Sequence, residues 1–305
     1  MMNETLREPS TAWWFDRKYF VPIGGGTLLM LVLLGAACVY VPYQRERQIA
    51  LEIEAADGFV LFEFVGPDWI PEFVRDRLPL WTHVTQISLG ADSTTDAKLE
   101  SLKGLSSLKS LGLGDNPITD TGLTHLEGMT SLSGLGLDNT RITDAGLEQL
   151  KGLKSLEGLC LDKTQITDSG LEHLKGFPRL TWLYLRDTQV SGTGFVNLKG
   201  LTSLYGLELD GSRVTDAGLE HLNGHSSLGY LSLNNTQITD VGLEHLIKLT
   251  RLNWLELRNT RITDAGLEHL KGLPNLERID LNHTAVTSRG VEELRKALPK
   301  LGIQK

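Results

Sequence analysis

The chain has 305 residues, 40% hydrophobic and 22% charged, with a formal net charge of -8 at pH 7 and two cysteines. Residues 1–43 hold three basic and three acidic groups, so the excess negative charge belongs to residues 44–305. An acidic body without a basic run is repelled by phosphate backbones, which excludes nucleic acid as a partner. Cys160 is the only cysteine after Cys38, so that body has no internal disulfide and relies on packing.

Residues 1–18 read as a tail. Between residues 19 and 44 no side chain is charged, and a helix of that length would span roughly 39 Å at about 1.5 Å per residue, against a hydrocarbon core of about 30 Å. The apolar centre lies at 27–41, with Trp13, Trp14, Phe15, Tyr19 and Phe20 before it and Tyr40 and Tyr43 after. This pattern predicts a single transmembrane helix over 19–44 with aromatic belts. Two other fates compete for the same segment: cleavage after the small residues Gly35 and Ala37, and lipidation at Cys38. Arg17 and Lys18 on one flank balance Arg45 and Arg47 on the other, and Arg7 tips the expectation toward a single-pass protein with its N-terminus inside and the rest extracytoplasmic.

Residues 45–83 read as a small juxtamembrane α+β cap: a helix over 44–56, a strand over 59–65 after Gly58, and a short helix over 67–78 bearing Trp69 and Phe73. From Val84 to Leu276 an aliphatic residue recurs every 24 residues, with a second aliphatic three places on and a third five places on, nine times without insertion. The alternation L-x-x-L-x-L predicts a short strand. The second half of each unit, T-x-I-T-D-x-G-L-x-x-L as at 140–150 and 260–270, predicts a short helix capped by Thr143 or Asp144, with Ile142, Leu147 and Leu150 on one face. One glycine column, Gly122 to Gly290 in steps of 24, fits close approach between neighbouring helices. A second, running from Gly104 to Gly272, fits the turn after each helix. Leu298, Leu301 and Ile303 imitate a half unit that closes the stack.

This pattern resembles the leucine-rich-repeat family, in its bacterial class of 24-residue units. Thr140, Thr164, Thr188, Thr236, Thr260 and Thr284 stand near where a Cys or Asn would be expected, and only Asn116 keeps the Asn of the commoner pattern. The resemblance covers about residues 84–303. It implies an α/β solenoid over 84–305, about nine units plus a C-terminal cap, with a parallel sheet on one face and short helices on the other. It also implies a binding scaffold and not an enzyme.

Every tryptophan and tyrosine after residue 84 stands at a variable strand position: Trp182, Tyr184, Tyr205, Tyr230 and Trp254. Phe177 and Phe195 instead replace leucine in core columns. Arg186, Glu208, Asp210, Asn234, Glu256, Arg258 and Asp280 share the face with the aromatics, whereas the first units present Gly112, Gly114, Gly134, Gly136 and Gly158. Trp, Tyr and Arg are enriched in binding hot spots, so the expected binding residues are the five aromatics with Arg186, Glu208, Glu256 and Arg258. The competing account is that aromatics suit sheets and stack on one another for stability.

Other columns carry less. His125, His173, His221, His245 and His269 share one slot, but Gln149, Asn197 and Glu293 occupy it too, so no metal and no cofactor is expected. Glu148 with Lys151, Glu172 with Lys175 and Glu268 with Lys271 read as solvated helix pairs. Glu208 and Glu256 share a column two strands apart, about 9.6 Å, yet an open sheet lacks the pocket that acid catalysis needs. The expected partner is a protein bound on the sheet face. An envelope carbohydrate is the second reading, and a structural surface protein without a ligand the third.

Overall fold

The computed structural model describes residues 25–66, 69–75 and 81–305, with residues 25–39 as helix backbone alone. The chain divides into two compact units, Met1–Pro42 and Tyr43–Lys305. Helix α1 (Gly25–Glu54) begins in the first and ends in the second. Residues 19–24 of the expected membrane span lie outside the described residues, as do the flanking aromatics at 13–15. Among the described residues no helix is long and apolar enough to cross a membrane.

In the second unit the end of α1 is already part of the fold. Ile49, Ala50 and Ile53 are buried in the continuous apolar core, and the Glu46 carboxylate accepts the Val84 N–H at 2.8 Å. Strand β1 (Phe59–Phe64) follows Gly58 and pairs antiparallel with β2 (Thr82–Ser88), with a register shift between Leu61 and Phe62. Of the helix expected over 67–78, the described residues show α2 (Glu72–Arg75), directly after Pro71, whose fixed φ suits a first turn; Trp69 precedes it, and residues 67, 68 and 76–80 lie outside the described residues.

From β2 onward the sheet is parallel and strictly sequential: β3 (Ser110–Gly112), β4 (Gly134–Gly136), β5 (Gly158–Cys160), β6 (Trp182–Tyr184), β7 (Gly206–Glu208), β8 (Tyr230–Ser232), β9 (Trp254–Glu256), β10 (Arg278–Asp280) and β11 (Gly302–Gln304). Each residue pairs with the one 24 places on, as in Leu111 with Leu135 and Leu159 with Leu183. The 24-residue period read in the sequence is thus the repeat of the hydrogen-bonded register. The aliphatic columns form one buried core, and Phe177 and Phe195 sit fully inside it. The half unit at the end supplies β11, where Ile303 pairs with Ile279.

Opposite the sheet each unit carries a short helix, α-helical in most and 3-10 over Gly170–Gly176 and Thr193–Gly200. The residue at the N-cap is the threonine, as at Thr143, while Asp144 opens the first turn; Ile142 precedes the helix and is buried without being on it. The aspartate does something the local pattern does not show. Asp144 accepts the N–H and the hydroxyl of Thr167, one unit on, at 2.8 and 2.6 Å. The same rung joins Asp96 to Thr119, Asp120 to Thr143, Asp168 to Ser191, Asp216 to Thr239, Asp240 to Thr263 and Asp264 to Thr287. The first glycine column makes room for it: a Cβ at Gly146, Gly170 or Gly242 would lie well inside contact with the carboxylate of Asp120, Asp144 or Asp216. The second column has a mixed role, since only Gly104, Gly128 and Gly224 adopt positive φ. The buried threonines Thr140, Thr164, Thr188, Thr236 and Thr260 each donate to the carbonyl three residues back. Asn116 instead donates to Leu113 and Gly114 and accepts the N–H groups of Ser93 and Thr94.

Candidate binding face

Successive strand residues point to opposite sides of a sheet, so with the leucines inward, the residues between them stand on the outer face. There the five aromatics form one chain of ring contacts. Trp182 lies 5.9 Å from Tyr184, 5.6 Å from Tyr205 and 5.4 Å from Tyr230, and Tyr230 meets Trp254 edge-on at 5.3 Å. The contact between Trp182 and Tyr230 skips a strand. It exists because Gly206 stands between them: a Cβ there would collide with the Trp182 indole. Gly229 does the same for Tyr205, whose ring covers it and whose hydroxyl donates to Asn253 Oδ1 at 3.2 Å, two strands away. Arginines close both ends of the chain. Arg278 lies 5.1 Å over the Trp254 ring and Arg186 lies 6.0 Å over that of Tyr184, a geometry in which a guanidinium is attracted to the ring face.

The aromatics are not equally available. Tyr205 and Trp254 are each 37% exposed, Trp182 and Tyr184 are half-buried, and Tyr230 is only 9% exposed. Burial, and then the charge of Glu256, pushes the Tyr230 hydroxyl up to about 12. Tyr230 therefore seats the chain of rings, with little of its own surface open. Glu208 is 6% exposed and ion-paired with Arg186. Glu256 is also engaged, accepting from Asn234 Nδ2 at 2.6 Å and Ser232 Oγ at 3.2 Å. Asp210 takes the other side of the same network, accepting the Ser232 hydroxyl and the Asn234 N–H. Arg258 is exposed, and its N–H donates to Asn234 Oδ1 at 2.7 Å.

Arg278, Gly206, Gly229 and Asn253 belong to this site and were missed. Arg278 stands in the Trp182, Tyr230 and Trp254 column, so the column itself carried the signal; the two glycines could be found only by asking what their neighbours' rings cover.

On the other half of the face β3, β4 and β5 offer Ser110, Gly112, Gly134, Gly136, Gly158 and Cys160. Cys160 is a free, half-buried thiol. Burial pushes it up to about 12, with Asp162 and Asp138 adding to the rise, so it is a poor nucleophile at neutral pH. Asp162 is itself raised, by burial first.

The histidine slot lies on the helix side, where His245 and His269 share a shallow cavity with Glu220 and Glu244. Among the described residues no three His, Cys, Asp or Glu side chains come together as metal ligands would. The pairs Glu148 with Lys151 and Glu268 with Lys271 form, at 3.7 and 2.5 Å.

Comparison with known proteins finds leucine-rich repeats in part of the chain. Residues 130–190 match a family model described as leucine rich repeat, and residues 104–126 match a second leucine-rich-repeat model. No curated protein matches the chain. Among solved structures, internalin C2 of Listeria monocytogenes is 27% identical over 73% of this chain and 80% of its own, with a TM-score of 0.44. A leucine-rich-repeat protein of Leptospira interrogans is 21% identical over 72% of this chain and 57% of its own, with a TM-score of 0.50. A second internalin of the Listeria species is 20% identical over 72% and 86%, with a TM-score of 0.31. The Leptospira likeness shows the fold, and this chain spans little more than half the length of that protein. The matched segments, residues 104–126 and 130–190, are similar to leucine-rich repeats.

Proposed function

We propose that this chain is a binding module that engages a protein partner through the outer face of its sheet, held at a membrane by residues 19–44 with the N-terminus inside and the repeats extracytoplasmic. The observation that carries the binding claim is the aromatic chain with its two arginine ends. Stacking for stability alone accounts for Tyr230, which is buried, but leaves unexplained why Tyr205 and Trp254 keep more than a third of their surface open at one end of the face. Rigid aromatic rings beside arginine are the usual energetic centre of a protein interface. A sugar ring would need an open aromatic plane, and the Trp254 ring already carries Arg278 on a face. The engagement of Glu208 by Arg186 and of Glu256 by Ser232 and Asn234 fits a fixed scaffold on this face. The charge-free run between residues 19 and 44 supports the anchor.

The test is affinity capture with the full chain in detergent, comparing wild type with a Tyr205→Ala, Trp254→Ala double variant. One discrete protein held by the wild type and lost by the variant is the expected result. Equal capture by both would refute the aromatic face as the contact.

A further inference from the structure

We propose that the N-terminal cap makes a second membrane contact, in which Trp69 and Phe73 enter the lipid–water interface of a zwitterionic bilayer; this rests on the reading of residues 19–44 as an anchor.

The two ends of the stack are finished differently. A terminal unit needs a polar outer face to stay in water. The C-terminal end has one: the last helix, Ser288–Ala297, exposes Arg289, Glu292, Arg295 and Lys296 and buries Val291 and Leu294. Beyond Trp254 no large hydrophobic residue is exposed among the described residues. The N-terminal cap reverses this. Phe59, Leu61, Trp69, Phe73 and Trp81 all lie open, with Trp69 at 80% and Phe73 at 77% against 37% for Trp254. Apolar exposure concentrated in this way marks a contact surface.

The exposure is built into the cap. Residues 69–75 are fixed from within: Ile70 is buried, and Arg75 donates to the Ile70 carbonyl at 3.0 Å while lying 5.3 Å over the Phe64 ring. Phe64 in turn stacks on Trp81 at 6.2 Å, and the Val65 N–H donates to the Trp81 carbonyl at 2.8 Å, which joins the cluster to the end of β1. With Ile70 and Arg75 held against the cap, Trp69 and Phe73 are left outward.

The chemistry of the segment and its place in the chain select the bilayer as the occupant. Within residues 69–75 the only charged groups are Glu72 and Arg75, which cancel, so no net charge opposes a zwitterionic surface or favours a charged protein. Tryptophan settles at headgroup depth, and Trp with Phe forms the apolar side of segments that lie in the interface. The cap belongs to the unit that starts at Tyr43, where the charge-free run ends. By connectivity, a bilayer holding that run is the apolar surface nearest in the chain to the cap.

The probe is the full chain in nanodiscs of palmitoyl-oleoyl phosphatidylcholine, one chain to a disc, oxidised by hydroxyl radicals and read residue by residue by mass spectrometry. Trp254 is the internal standard. Its exposure is less than half that of Trp69, so in water Trp69 oxidises faster; covered by lipid, it should oxidise more slowly than Trp254. Phe73→Asp, which sets a charge where the ring would enter lipid, should raise Trp69 oxidation at least about threefold and leave Trp254 unchanged. Trp69 oxidised faster than Trp254 in chains that comigrate with discs, or protection that survives Phe73→Asp, would overturn the cap contact and leave the anchor standing. A chain that fails to comigrate with discs would overturn the anchor and this contact together. Protection only in discs that hold two chains would assign the surface to a second copy and overturn the membrane contact.

Discussion

In most units a single aspartate links neighbouring helices, and Asp168 shows most plainly how much it holds. It accepts the Ser191 N–H at 3.0 Å and hydroxyl at 2.6 Å, and the N–H groups of Gly192 and Gly194 at 3.0 and 2.8 Å. Burial alone would raise Asp168, but these hydrogen bonds outweigh it and hold the carboxyl below its ordinary value. A group depressed in the folded state contributes its stability in full above its unfolded value of about 3.9, and loses it as pH falls through the folded value. Asp168→Ala should therefore cost about 2 kcal/mol near neutral pH, discounted from the upper range for solvent screening. The gap from wild type should narrow at pH about 3. Urea unfolding at the two pH values checks this; a gap unchanged in acid would assign the effect to packing. The sequence showed the Thr-Asp pair and its place at a helix start, because capping is local. It hid the rung, because the donors lie 23 or more residues further on.

One element breaks the ladder. Where most other units read I-T-D-x-G or V-T-D-x-G, residues 190–194 read V-S-G-T-G; the last, 286–290, reads V-T-S-R-G and has no later unit to join. The aspartate position is Gly192, at φ +104, and the Thr215 N–H turns to the Ser191 carbonyl at 3.1 Å instead of a carboxylate. A Cβ at Gly192 would lie 2.7 Å from the Gly218 Cα. Restoring the repeat's own residue with Gly192→Asp should thus lower the melting temperature by several degrees, from both a left-handed φ and a backbone clash, on the order of 1–3 kcal/mol. A rise in melting temperature would mean that the rung re-forms and the strain is relieved. The departure was legible as a changed pattern, but its consequence depends on how close two glycines of adjacent units come. The same limit applied to the sheet face. The aromatic column was plain in the sequence, while the seats at Gly206 and Gly229 depend on rings that reach across strands.

For the whole molecule, the 24-residue period set both the sheet register and the core, since a solenoid makes each unit contact only the next. The cap was less legible, because residues 45–83 have no period. They join through particular contacts: Glu46 on Val84 and His83, and Arg45 on the Ser101 and Lys103 carbonyls. The division of labour within the aromatic chain could not be read from composition at all, since exposure separates Tyr230 from Trp254 although both occupy the same column. That separation is also the most direct test. The measurement is partner affinity and melting temperature, taken together, for Trp254→Ala and Tyr230→Ala in the full chain. The account predicts that Trp254→Ala weakens binding by about 2 kcal/mol or more with little change in melting temperature. Tyr230→Ala, which empties a buried site, should lower the melting temperature by about 4 °C or more. Unchanged affinity in Trp254→Ala together with a large fall in its melting temperature would contradict the account and return the whole aromatic chain to structure.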